Sequence, residues 1–164
     1  MVLDYAFFHR PCLDVARDLV GKILVHRTES GEIRLRISET ESYCGAQDTA
    51  CHVSKGRTPR TEVFFADAGT LYVYLCYGMH WMLNIVTGDV EDPQAVLIRA
   101  YIDAPGPGKL GITGALNKGS ILGDTLWIED DGCRFDITTD KRVGIGFASQ
   151  EDQDRLWRFI IAKI

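Results

Sequence analysis

Long apolar runs are missing from this chain, and none approaches the roughly 20 residues that a membrane-spanning helix needs. A secretory leader is not expected either. Met1-Val2-Leu3-Asp4-Tyr5 carries no basic stretch, and His9-Arg10-Pro11 interrupts the apolar residues nearby. Paired cysteine spacings are also lacking. The five cysteines, at 12, 44, 51, 76 and 133, are odd in number and include no C-x-x-C. They are read as reduced thiols of a cytoplasmic protein, not as a disulfide framework. Cys44, Cys51 and His52 lie close in sequence, but no fourth ligand accompanies them, so no metal is expected. Net positive charge is absent as well: 18 Lys and Arg against 23 Asp and Glu leave −5. That balance counts against a generally basic nucleic-acid surface, yet a local positive groove can sit on an acidic body. Lys55, Arg57 and Arg60 make one basic cluster, and Lys109 with Lys118 a second.

What is present suits one folded unit. With 46% hydrophobic and 25% charged residues the chain reads as globular, and 164 residues suffice for one real core. There is no repeat, low-complexity tract or linker. Residues 11–20, apolar at 13, 15, 16, 19 and 20, predict an amphipathic helix opened by Pro11 and broken by Gly21. A strand at 23–27 and a turn at 29–32 predict a hairpin with the segment that follows. Later, 109–117 reads as a glycine-weakened helix, and 125–129, 142–147 and 156–162 read as strands. The expected fold is therefore α+β. It is a single domain over 1–164, with a curved, mainly antiparallel, barrel-like sheet, surrounding helices and a protruding β-hairpin.

Residues 33–43 are the most informative. Ile33, Leu35, Ile37, Glu39, Glu41 and Tyr43 occupy the odd positions; Arg34, Arg36, Ser38, Thr40 and Ser42 occupy the even ones. Strand side chains alternate with period two, so a regular strand puts two carboxylates on the face of three core aliphatics. Two readings follow. Either the strand ends or bulges near Ser38 and the glutamates are solvated, or the core face opens there into a pocket. A carboxylate in such a pocket holds its proton more tightly and suits general-base work. Periodicity does not choose between Glu39 and Glu41; the neighbouring aromatic Tyr43 favours Glu41.

Residues 70–86 carry two β-rich runs around Tyr77-Gly78-Met79, with Gly78 supplying the turn. Tyr77 and Met79 either fold down as core or stand out as an apolar wedge able to enter stacked bases. Tyr72 and Tyr74 share a face that can line a stacking pocket. Asn84, inside the apolar run Met82 to Val86, is either a structural hydrogen-bonding residue or a gate reading a substrate edge.

These segments together resemble the alkyladenine (3-methyladenine) DNA glycosylase family. The likeness is carried by Leu-Val-Gly-Lys-Ile-Leu-Val at 19–25, Glu-Thr-Glu-Ser-Tyr at 39–43 and Thr-Pro-Arg at 58–60. It continues through Gly-Thr-Leu-Tyr-Val-Tyr-Leu-Cys-Tyr-Gly-Met at 69–79, Asn84-Ile85, and Leu97-Ile98-Arg99-Ala100. Gly-Pro-Gly-Lys-Leu at 106–110 and a weaker Arg-Val-Gly-Ile-Gly at 142–146 complete it. The resemblance implies a monofunctional enzyme that needs no cofactor and acts as a monomer on double-stranded DNA containing damaged purines. It works in the cytoplasm, at the nucleoid. Glu41 matches the glutamate that activates water, and Arg99 and the Val143 carbonyl match groups holding that water. Tyr43, His52, Tyr74 and Asn84 match the base pocket, where Asn84 excludes guanine. Tyr77 matches the residue that fills the gap in the duplex, with Met79 beside it. Arg60 and Lys109 are candidate DNA-backbone contacts.

Three features depart from that pattern. The connection between Ala100 and Gly106 is shorter than usual, His80 stands where an aromatic is common, and the net charge predicts weak, strongly salt-dependent DNA affinity. Two rivals remain: a non-catalytic nucleic-acid-binding module with the same aromatic sheet, and a hydrolase of free nucleosides or RNA.

Overall fold

A computed structural model of the protein describes residues 1–76, 78, 80–102 and 120–162. Tyr77, Met79, Lys109 and Lys118, with the expected helix at 109–117, lie outside the described residues.

One antiparallel sheet dominates. Eight strands, β1 (Ile23–Thr28), β2 (Gly31–Tyr43), β3 (Leu71–Cys76), β4 (His80–Thr87), β5 (Gln94–Tyr101), β6 (Leu126–Glu129), β7 (Ile137–Asp140) and β8 (Arg158–Ile161), run in the order β3-β4-β5-β2-β1-β6. β8 joins β2 and β7 off that path. The 13-residue β2 is its spine. Its first half pairs with β1, and its second half has β5 on one side and β8, at Glu39–Glu41, on the other. Changing partners midway curls the sheet into a half-barrel.

Among the described residues the helices are few. α1 (Tyr5–Phe8) is capped by Asp4, and α2 (Cys12–Leu19) follows Pro11 as its periodicity requires. α2 buries Cys12, Val15, Ala16 and Leu19 against one face of the sheet. Its end is fixed by Gly21, at φ +89°, where a Cβ would lie 2.5 Å from the Phe135 ring. The sheet's other face carries two 3-10 turns, His52–Lys55 and Glu62–Phe65, and a separate apolar cluster around Tyr72, Phe64 and Cys51. The last helix, α3 (Gln150–Asp154), is capped by Ser149. Among the described residues no helix is long and apolar enough to cross a membrane.

Two sequence expectations need correcting. Residues 142–147 form no strand. Gly144 at φ +73° turns the chain, and Arg142 and Val143 bond across to other elements instead of along a ladder. Nor does β2 stay regular. Its pairing with β5 shifts register between Ile37 and Thr40. Ile33, Leu35 and Ile37 belong to the cluster under α2. Past the irregularity it is Thr40 and Ser42 that reach α2, donating to the Ala16 and Cys12 carbonyls. The bulge turns Glu41 to the opposite face from the aliphatics. Of the two readings of this strand, the bulge is present but solvation is not: Glu41 is fully buried.

Candidate active site

Burial of Glu41 follows from its place in the ladder, between Leu97 on β5 and Arg158 on β8. An isolated carboxylate there would be severely destabilising, so its oxygens need donors. The Tyr43 hydroxyl donates to Oε1 at 2.7 Å, and the Val143 N–H donates to Oε2 at 2.8 Å. Arg99, from β5, brings its Nε to 3.8 Å of Oε2 while keeping part of its side chain in solvent. Arg158, opposite on β8, donates to Glu39, Asp140 and the Lys141 carbonyl. Burial raises the proton affinity of Glu41 above the usual carboxylate range. Val143, Tyr43, Arg99 and Arg158 pull it part of the way back. A carboxylate whose proton affinity is raised in this way is a better proton acceptor than an exposed one.

The Val143 amide is brought there by its neighbour. The Arg142 guanidinium, fully buried, donates to both Asp48 oxygens at 2.6 and 2.9 Å, to the Ser42 carbonyl at 2.9 Å and to the Asp152 carbonyl at 3.3 Å. It lies over the Tyr43 ring at 5.1 Å and the Trp157 ring at 4.9 Å. Burial opposes its charge, but the bonds to Asp48 prevail and its proton affinity is raised. Asp48 also accepts from the Cys44 and Ala50 amides.

Beside Glu41 lies a tight aromatic pocket, with a free volume of only about 10 Å³, lined by Tyr43, Ala50, His52, Phe64, Tyr72, Tyr74 and Asn84. The β3–β4 register sets Tyr72 opposite Asn84 and Tyr74 opposite Met82, so both tyrosines and Asn84 share a face. His52 packs edge-on to Tyr74 at 4.7 Å and bonds through Nδ1 to the Tyr72 hydroxyl at 2.8 Å. Burial, with Arg60 and Lys55 nearby, lowers the affinity of His52 for a second proton, which favours a neutral ring. The Asn84 amide donates to the Tyr72 and Met82 carbonyls of its own hairpin while still lining the pocket. Arg60 stands over the outer Tyr74 ring at 5.7 Å. Of its basic neighbours, Arg57 is already paired with Glu62 and Glu91.

The residues singled out from sequence thus fall into two touching groups. Glu41, Arg99, Val143 and Tyr43 form one; Tyr43, His52, Tyr74 and Asn84 form the other, and Tyr43 belongs to both. Val143 meets Glu41 through its N–H; the carbonyl to which the resemblance points is a separate group of the same residue. Sequence reasoning missed Asp48, Arg142, Arg158 and Phe64. Arg142 opens the Arg-Val-Gly-Ile-Gly run at 142–146, where no role is read for it; Asp48 looks like any loop aspartate. Among the described residues no group of three His, Cys, Asp or Glu side chains is placed to hold a metal ion.

Comparison with known proteins places the chain. The family model described as methylpurine-DNA glycosylase matches residues 6–104. A relative from Methanocella arvoryzae, provisionally named a 3-methyladenine DNA glycosylase, is 43% identical over 96% of this chain and 91% of its own length. Proteins of the same provisional name from Borrelia garinii and Psychrobacter cryohalolentis are 40% and 38% identical over 97% of this chain, covering 95% and 91% of their own lengths.

Proposed function

The chain belongs to the methylpurine-DNA glycosylase family, and from that premise we propose that it hydrolyses the N-glycosidic bond of a damaged purine flipped out of duplex DNA. The observation that carries this reading is Glu41: buried, held on both oxygens, and adjoining an aromatic pocket with Arg99 alongside. A binding module has no use for a carboxylate so placed, since an unused buried charge only costs stability.

In the proposed reaction Glu41 takes a proton from a water as the water oxygen bonds to the sugar C1′. The C1′–N bond breaks with its electron pair going to the base. Arg99 and the Val143 carbonyl hold that water. A positively charged alkylated purine leaves as a neutral molecule, which lowers the barrier. Glu41 is a glutamate and not an amine, so no Schiff base and no strand cleavage are expected. Tyr43, His52 and Tyr74 stack on the flipped base, and electron-rich rings favour a cationic one. Asn84 reads its edge and rejects the guanine amino group. Tyr77 and Met79 enter the vacated gap, and Arg60 and Lys109 contact the DNA backbone. Flipping costs a few kcal/mol and is cheapest for a weakly paired base.

The test is product analysis on duplex oligonucleotides carrying one hypoxanthine, one ethenoadenine or one methylated purine. The expected products are free base and an intact strand with an alkali-labile abasic site. A nicked strand without alkali would overturn the monofunctional mechanism, and lesion binding without base release would favour the binding-module reading.

A further inference from the structure

Val143 sits in a segment, 141–149, that belongs to no strand or helix. Its own side chain is half exposed and that of Phe147 largely so; the buried apolar residues of the segment, Ile145 and Ala148, pack with Ala50 and Tyr43 farther along the chain. Apolar packing therefore does little to fix the height of the Val143 amide over Glu41. Yet that amide lies at 2.8 Å from Oε2, and a hydrogen bond weakens steeply with small changes in distance and angle.

We propose that the buried Arg142–Asp48 pair is a positioning device for the reacting carboxylate, holding the Val143 N–H on one Glu41 oxygen and the Tyr43 ring beside the other. The proposal rests on the reading of Glu41 as the base. Arg142 directly precedes Val143, and its guanidinium is anchored at the Ser42 carbonyl, one residue from Glu41 along β2. The same guanidinium lies against the Tyr43 ring, whose hydroxyl donates to Oε1. One side chain thereby grips both donors of the carboxylate. Asp48 in turn is fixed by Arg142 and by the amides of Cys44 and Ala50, just beyond the end of β2.

The chemistry of the pair points the same way. A buried ion pair is a poor means of adding stability, since apolar side chains of similar volume usually do as well or better. What it offers is direction: a planar fork accepts only one arrangement of its partners. Here the partners are β2 at Ser42, the loop at Asp48 and α3 at the Asp152 carbonyl, the three elements around the Val143 segment.

The groups that face Glu41 are Tyr43 on its own strand, Arg99 on β5, Arg158 on β8, the Val143 N–H and, farther off on β3, Tyr74. Withdrawing the Val143 N–H leaves burial less opposed, so Glu41 must ionise at higher pH. A pair that serves only overall stability would not move that titration in the folded fraction.

Asp48→Asn and Arg142→Lys both keep polar contact at the pair and spoil its geometry. The measurements are a carbon-13 carboxyl titration of Glu41 in the DNA-free protein and single-turnover base release from a hypoxanthine duplex. In folded variants that bind the duplex within about threefold of wild type, Glu41 is expected to titrate at higher pH. Base release at neutral pH should fall about tenfold or more, the scale of one lost charge-assisted hydrogen bond. An unmoved Glu41 titration in a folded variant overturns the proposal. So does failure of both variants to fold, because the pair would then serve the whole fold. If the wild type releases no base from any lesion duplex, the glycosylase reading fails instead, and the titration still decides this one.

Discussion

Replacing Tyr43 by Phe isolates one of the two hydrogen bonds to the reacting carboxylate. The hydroxyl sits 2.7 Å from Glu41 Oε1, while the ring contributes separately to the aromatic pocket and to the stack on Arg142. Phe keeps the ring and removes the bond. A hydrogen bond to an ionised carboxylate is worth about 1.5–3 kcal/mol, which is about a tenfold to hundredfold bias toward the charged form. Glu41 is already raised by burial, and Tyr43 is among the groups that oppose that rise. The substitution therefore moves the acid limb of the single-turnover rate profile to higher pH. The rate loss is deepest on the limb and shrinks above it, where Glu41 is ionised in both proteins. Lesion-duplex affinity should hold, because stacking uses the ring. The assay is base release from a lesion duplex measured from about pH 5 to about pH 9. A limb that stays put, or that moves to lower pH, would refute the assignment of Glu41 as a base supported by Tyr43.

Further outcomes follow from the same geometry. A group whose folded-state proton affinity exceeds its unfolded one contributes stability that is complete below the unfolded pKa and is lost as pH rises through the folded one. Glu41 is such a group, so Glu41→Gln should melt at higher temperature than wild type at about pH 8 and at an equal temperature at about pH 4. An equal melting temperature at both would show that the carboxylate is not desolvated. Gly21→Ala forces a Cβ into the Phe135 ring at a positive φ and should cost about 1–3 kcal/mol in urea unfolding; an unchanged midpoint would contradict the helix-end geometry. Arg60→Ala should weaken binding to lesion and undamaged duplex alike and lower the salt slope by about one. A loss confined to lesion duplex would instead make Arg60 a reader of the base.

How much of this was legible in the sequence depended on range. α2 declares itself through its periodicity and Pro11, and the β3–β4 hairpin through two β-rich runs about Gly78. Tyr72 and Tyr74 followed from strand alternation, because that hairpin keeps its register, and Asn84 from its place inside an apolar run. Glu41 was reached by alternation as well, but by the wrong route. The rule assumed a regular strand, and the bulge between Ile37 and Thr40, which depends on β5 for its pairing, turned the carboxylate to the other face. The expected strand at 142–147 failed for a related reason. Its β-favouring residues are outweighed by a side-chain pair whose partner, Asp48, lies 94 residues away. Nothing local in either residue announces that bond, so no role was read for Arg142 or Asp48. β7 was missed because Ile137–Asp140 is short, with one apolar residue followed by three polar ones, and is defined by its pairing with β8.

On this reading a glycosylase reaction runs through the Glu41 carboxylate. It is tested most directly by comparing wild type with Glu41→Gln on duplexes carrying hypoxanthine, ethenoadenine or a methylated purine, following base release and duplex binding in parallel. The wild type should release free base, while Glu41→Gln should bind the same duplex and release none. Turnover retained by Glu41→Gln would contradict that reading.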